Sequence, residues 1–554
     1  VEKIWLKNYP QGVPIEIDPD RYSSLNDLLE EVCDRYADHE AFSNMNTVIT
    51  YQELEEKSRA FAAFLLEILK LKKGDRVALM MPNLLQYPIA MFGVLRAGLV
   101  VVNVNPLYTA RELAYELEDA ECETIVILSN VAHTLVEILS NTHIRNIIVT
   151  EIGDLFPLFK AYSVNWVVKY VKRMVPKWAF SHYINFKDVL KIGQTAVFNK
   201  PFIDGHDTAF LQYTGGTTGL AKGAMLSHRN LVANIEQAVA WISSQIKEGV
   251  EVVVTALPLY HIFSLTANCF TFMRIGALNI LVTNPRDIKN FVKLLRRSHF
   301  TALTAVNTLF KALLNNPQFA NIDFSQLRVT LGGGMPVQQV VSVRWKSVTK
   351  TPLIEAYGLT ESSPAVCINP LNGQHVNGTI GLPVSSTEIS IRTSEGLELG
   401  VNTPGELWVK GPQVMQGYWK RPFDTALVLQ DGWLRTGDIA TIDEAGFVRI
   451  VDRQKDMILV SGFNVYPNEV EEVISRMQGV SEVAVIGVSR ENGESVKAFI
   501  VKRNPNLTTE EILTHCHREL TPYKVPKEIE FRNELPKSNV GKILRRLLKE
   551  EQKD

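Results

Sequence analysis

Residues 213–223 read Y-T-G-G-T-T-G-L-A-K-G, a composition suited to holding phosphate. Gly215, Gly216 and Gly219 let the backbone turn tightly and bring its N–H groups against an anion. Thr214, Thr217 and Thr218 add hydroxyl donors, and Lys222 adds a positive charge. The ATPase P-loop requires Gly-Lys-Ser/Thr at its end, whereas Lys222 follows Ala221 and precedes Gly223. A flexible surface turn would account for the glycines but not for three threonines and a lysine among them.

Further chemistry-bearing segments follow in order: P-L-Y-H at 258–261, L-G-G-G at 331–334, Y-G-L-T-E at 357–361, G-W-L-R-T-G-D at 432–438, D-R-Q-K-D at 452–456, S-G-F-N-V-Y-P at 461–467 and P-K-S-N-V-G-K at 536–542. Asp438 offers acceptors and no donor, which fits paired hydroxyls, and Lys542 offers a compact ammonium on a flexible stem. His261 lies in an apolar run, where it either lines a site or is a satisfied core residue. In order and spacing these segments resemble the adenylate-forming superfamily of acyl-CoA synthetases, luciferases and peptide-synthetase adenylation domains. The likeness spans essentially the whole chain and is strongest to bacterial long-chain fatty-acid–CoA ligases.

That resemblance implies a two-step reaction. ATP activates a carboxylate as an acyl-adenylate with loss of pyrophosphate, and the thiol of coenzyme A then displaces AMP. It implies that Thr214, Gly215, Gly216, Thr217, Thr218 and Lys222 hold the β- and γ-phosphates, that the Tyr357 ring stacks on adenine with Gly332, Gly333 and Gly334 as a backbone wall, and that Tyr213, Gly219 and Gly358 also belong to the nucleotide site. Thr360 would bond the α-phosphate or the substrate carboxylate, Glu361 would hold Mg2+, Asp438 would accept the ribose hydroxyls, and Arg453 would reach ribose or phosphate. Tyr260, His261 and Val306 would line the acyl pocket, and Ser461, Gly462 and Phe463 would meet coenzyme A. Lys542 would stabilise charge in the adenylation transition state, with Lys455 as the hinge about which a small domain turns between steps. Gln454 and Arg435 stand where many relatives carry a basic residue and a histidine. Medium-chain or aryl acids, a carrier-protein thiol, and a non-catalytic nucleotide- or acyl-binding role remain alternatives.

The elements that must position these residues read as α/β. Strand-like and helical patterns alternate through residues 1–200 and again through 201–378, which predicts mostly parallel sheets with helices on their faces. Short alternating strands between Gly and Pro turns over 379–451 predict a small antiparallel barrel. These patterns predict a large N-terminal domain over 1–451 and a small α+β C-terminal domain over 457–554, with Thr508 and Glu511 signalling a capped helix, and the resemblance implies that 452–456 is a hinge about which the small domain moves.

Among 554 residues, 58 Lys and Arg face 60 Asp and Glu, so nothing global favours nucleic acid. Five cysteines without C-x-x-C spacing argue against zinc or a disulfide framework, and no signal-like apolar run opens the chain, so a cytoplasmic protein is expected. Residues 252–273 carry no Asp, Glu, Lys or Arg over a membrane-spanning length, yet Pro258, Tyr260, His261 and Asn268 interrupt them and favour buried core. Over 162–180, Val164, Val167, Val168, Val171 and Val175 recur at helical spacing beside Lys169, Lys172, Arg173 and Lys177, with Trp166 and Trp178 near the ends. This is either a packed surface helix or a peripheral contact with the anionic inner face of the cytoplasmic membrane. A homodimer is carried as an expectation.

Overall fold

The computed structural model describes residues 3–214, 221–460, 463–490, 493–538 and 541–552. Two large sheets form its main body. The apolar runs Arg76–Met80, Val100–Asn103 and Thr124–Leu128 lie side by side in parallel at the centre of an eight-stranded sheet, buried on both faces as parallel strands require. Thr208–Thr214 extends this sheet in parallel with Val100–Asn103, and Lys222–Ser227 and Gly417–Tyr418 add antiparallel strands beyond it. The second sheet has nine strands, with Glu40–Asn44, Leu278–Leu281, Val252–Thr255, Ala302–Ala305, Val329–Gly332 and Ile354–Gly358 parallel in its middle. The division expected near residue 200 is therefore crossed both ways. Strands from 208–227 and 417–418 complete the first sheet, while the hairpin of Glu40–Asn44 and Thr47–Thr50 closes one edge of the second.

The helix His228–Ile242 starts at a reciprocal cap: Ser227 Oγ accepts from the Asn230 N–H at 3.1 Å, and Asn230 Oδ1 accepts from the Ser227 N–H at 3.0 Å. It is buried nearly all round. Leu231, Val232 and Ile235 pack into one core cluster, and Trp241 and Ile242 into another. Residues 252–273 are also core: a central strand leads into the buried helical turns Ile262–Ser264, Leu265–Phe270 and Thr271–Arg274. Among the described residues no helix is long and apolar enough to cross a membrane.

Two expectations are corrected. The helix expected over 162–180 instead begins at Leu158–Trp166 and continues as the wider turn Val167–Val171, then stops. Arg173 is left-handed (φ 51°), and Pro176 could not extend a helix, so the basic residues beyond Val171 lie outside the regular element. The strands expected to close a small barrel form an antiparallel sheet of five. Trp433–Ile442 pairs with Leu429–Gln430, Gly405–Lys410 and Val448–Arg453 along its length, so the sheet fans out from it, and among the described residues no pairing joins its edges.

Beyond Val448–Arg453 the chain builds a separate core. Val480–Arg490, Gly493–Lys502 and Glu528–Arg532 form a three-stranded sheet packed with Pro467–Ser475 and Thr509–Glu519, and the clusters here contain only residues between 458 and 548. The capping box of Thr508 and Glu511 is present. This unit meets the main body where Lys311 donates to the Ser481 carbonyl and where Gly541 passes Thr308. Gly541 has φ 81°, which favours glycine, and an added Cβ would stand 2.4 Å from Thr308 Oγ1, so a side chain there would be strained and would displace the Thr308 hydroxyl.

Candidate active site

A cavity of about 2020 Å3 opens between the main body and the C-terminal unit. Its floor is the carboxyl ends of parallel strands in the nine-stranded sheet, where open α/β sheets take their ligands. Tyr213, Thr214, Lys222, Tyr260, His261, Val306, Gly332, Gly333, Gly334, Tyr357, Gly358, Thr360, Glu361, Asp438, Arg453, Lys455 and Lys542 all line it. Segments more than 300 residues apart in sequence thus converge on one space. Gly215, Gly216, Thr217, Thr218, Gly219, Ser461 and Gly462 lie outside the described residues. Phe463 does not line the cavity; it is 56% exposed and stacks on Tyr523 with ring centroids 4.7 Å apart.

At one corner Asp438 is gripped on both oxygens. The Tyr357 hydroxyl donates to Oδ2 at 2.5 Å and the Arg453 guanidinium faces Oδ1 at 3.2 Å. The carboxylate is fixed in place with lone pairs left over for further donors. Tyr357 is the penultimate residue of the strand Ile354–Gly358, and the close approach of the next segment requires glycine at 358: a Cβ there would meet the Pro364 carbonyl oxygen at 2.1 Å.

At another corner Lys222, at the start of Lys222–Ser227, pairs with Asp424 and lies 5.4 Å from the centre of the Tyr418 ring. The Tyr418 hydroxyl in turn donates to Glu361 Oε1 at 2.7 Å. Tyr418 and Asp424 were not singled out from the sequence. They arrive because Gly417–Tyr418 pairs antiparallel onto Lys222–Ser227, a contact across almost two hundred residues that no local pattern announces.

His261 and Lys542 line the same cavity and lie close enough for the Lys542 charge to act on the imidazole. The Phe263 N–H donates to His261 Nδ1 at 3.3 Å, and burial together with the nearby Lys542 charge pushes the ring down to about 4. The imidazole is therefore neutral at pH 7 and carries its proton on Nε2, free to donate. The Lys542 loop closes on itself: its N–H donates to Ser538 Oγ at 3.1 Å, and the Ser538 N–H donates to its carbonyl at 2.7 Å. Burial, with the Arg453 charge second, brings its ammonium down to about 8.

Away from this polar centre the cavity turns apolar. Ala238 and Ile242 of the buried helix face Phe272, Val329, Leu331 and Ile368. Asn234, fully buried one turn before Ala238, also lines the cavity and exchanges bonds of 3.0 Å with the backbone of Ala365. From Asn234 to Ile242 the helix runs about 12 Å. The arrangement can hold a polyanion between two ammonium groups, fix a sugar on Asp438, and shelter an extended apolar chain beside both.

Known proteins match this chain throughout. The AMP-binding enzyme family matches residues 29–419, and the AMP-binding enzyme C-terminal domain matches 469–542. A long-chain-fatty-acid–CoA ligase of Yersinia pestis is 59% identical over 100% of this chain and 98% of its own length. Another, of Bacillus subtilis, is 39% identical over the same shares. Among solved structures, ATP-bound MatB of Rhodopseudomonas palustris superposes with a TM-score of 0.82 at 28% identity, covering 96% of this chain and 99% of that one. The chain belongs to the AMP-binding, adenylate-forming enzyme family, in the company of the acyl-CoA ligases.

Proposed function

We propose that the protein joins a long-chain fatty acid to coenzyme A at the expense of ATP. In the first step the acid carboxylate attacks the α-phosphorus, forming acyl-adenylate and releasing pyrophosphate. In the second the coenzyme A thiol attacks the acyl carbonyl, forming the thioester and releasing AMP. The observation that carries the reading is the joining, in one cavity, of a nucleotide-suited polar centre, the Lys542 ammonium and an apolar limb along His228–Ile242.

Each residue then has a task. Tyr357 and the backbone of Gly332, Gly333 and Gly334 flank the adenine, and Asp438, already fixed by Tyr357 and Arg453, accepts the ribose hydroxyls. Lys222 exchanges Asp424 for the β- and γ-phosphates, alongside Thr214. Lys542 and Thr360 act at the α-phosphate, where preorganised donors stabilise the charge that develops. His261 donates from Nε2 to the carboxylate. Glu361 fits Mg2+: among the described residues no group of three potential ligands surrounds it, and a lone carboxylate completed by phosphate oxygens and water is the usual environment of that ion. Bound there, Mg2+ would offset charge on the phosphates.

Rotation about Lys455 then withdraws Lys542 and brings Phe463, exposed in this arrangement, to the acyl-adenylate. The segment 158–174 supplies a further contact. Leu158, Phe159, Tyr162 and Trp166 are 92%, 88%, 73% and 48% exposed, with Lys169, Lys172 and Arg173 following, a composition that suits reversible attachment to an anionic lipid surface; binding to anionic vesicles measures it.

ATP–pyrophosphate exchange tests the central reading. Exchange should depend on added fatty acid and strengthen with chain length, and adding coenzyme A should yield AMP and thioester. Release of ADP, or exchange indifferent to the acid, would overturn it.

A further inference from the structure

Three residues beyond Lys542, at the first position of the helix Arg545–Glu550, Arg545 is only 16% exposed. Its guanidinium is bidentate on Glu471, with Nε to Oε1 at 3.0 Å and Nη2 to Oε2 at 2.8 Å, and Nη2 also donates to Asn468 Oδ1. Its remaining nitrogen, Nη1, lies 3.5 Å from both Asp452 Oδ1 and Asp456 Oδ2. Asp452 is fully buried and belongs to the main body, as the penultimate residue of Val448–Arg453. Its Oδ2 accepts the Asn468 N–H at 2.7 Å, so the same carboxylate is tied twice to the C-terminal unit. The next residue, Arg453, reaches Asp438 in the cavity.

These bonds form a continuous chain from the ribose corner, through Asp438, Arg453, Asp452 and Arg545, to the loop that carries Lys542. Lys455 lies between the two ends of the chain, with Asp452 before it and Asn468 and Arg545 after it. A rotation about Lys455 must therefore strip Asp452 of both Arg545 and the Asn468 N–H.

Resting on the ligase reading above, we propose that Arg545 and Asp452 are a positioning pair that holds Lys542 in the cavity for adenylation and opens for thioester formation. Neither residue needs to touch substrate. The guanidinium's planar fork suits the work: it satisfies Glu471 and still turns a third edge to the main body, which a lysine could not do.

Half-reactions measured separately provide the test, with acid-dependent exchange in the unaltered protein as the control. If that control is silent, the ligase reading itself fails. If it is active, Asp452→Asn, which keeps shape and removes charge, should slow adenylation by roughly tenfold or more through kcat. Its rate of thioester formation from preformed acyl-adenylate should stay level or rise, which also reports an intact fold. Arg545→Gln should show the same split. In a Lys542→Ala background Asp452→Asn should add nothing to the adenylation loss, because the pair acts through that ammonium. Additive losses in the double variant, or an equal fall of both half-reactions in Asp452→Asn, would overturn the proposal.

Discussion

In the role proposed for it, Lys542 must be charged to stabilise the adenylation transition state, yet burial has brought its pKa to about 8. The fold disfavours the ammonium, so an unfolded chain binds this proton more tightly. Lys542 thus costs stability below about pH 8, and the cost is relieved as pH rises toward the ordinary lysine value. Activity has the opposite sign: kcat/KM for adenylation should hold below about pH 8 and fall about tenfold per unit above it. Lys542→Ala should lower adenylation by about two to three powers of ten, abolish that inflection and spare thioester formation; an inflection that survives the substitution assigns it elsewhere. His261, neutral down to about 4, contributes no inflection near neutrality. Lys542, Tyr357 and Asp438 were legible in the sequence because each sits in a compact motif. Tyr418, Asp424 and Arg545 were not. The first two reach the site by strand pairing, and Arg545 reads as one more basic residue of a terminal helix until Glu471 and Asp452 are seen around it.

Among the elements, the buried helix His228–Ile242 is the one that, on the proposed reading, sets how much of an acyl chain can be sheltered. Ala238 lies midway along the apolar limb, so Ala238→Trp should block its far part. Losing burial of three methylenes costs about 2.4 kcal/mol, or about fiftyfold in kcat/KM for long acids. Acids short enough to end before Ala238 should be unaffected, and an equal loss for short and long acids would place the chain elsewhere. The two-sided burial of this helix was not legible in the sequence, because it depends on sheets contributed by distant strands. The opposite occurred at 158–174: valines and lysines at helical spacing suggested an element past residue 175, and periodicity cannot register the backbone reversal at Arg173.

For the whole molecule, the exposed face at 158–174 bears on where the enzyme works. Neutralising Lys169, Lys172 and Arg173 should weaken binding to anionic vesicles on the order of a hundredfold, at about 1 kcal/mol per charge, and leave turnover of a water-soluble acid unchanged; unaltered vesicle binding would remove the idea. The interleaved sheets have a consequence of another kind, in time. Glu40–Asn44 pairs with Thr47–Thr50 on one side and with Leu278–Leu281 on the other. The residues separating Asn44 from Leu278 require about 12–47 s of synthesis at bacterial and eukaryotic rates of about 5–20 residues/s. Phe42 therefore emerges from the ribosome earlier, by that interval, than the strand it pairs with at Asn279, so the nascent chain carries a hairpin with one edge unpaired until the second sheet can form.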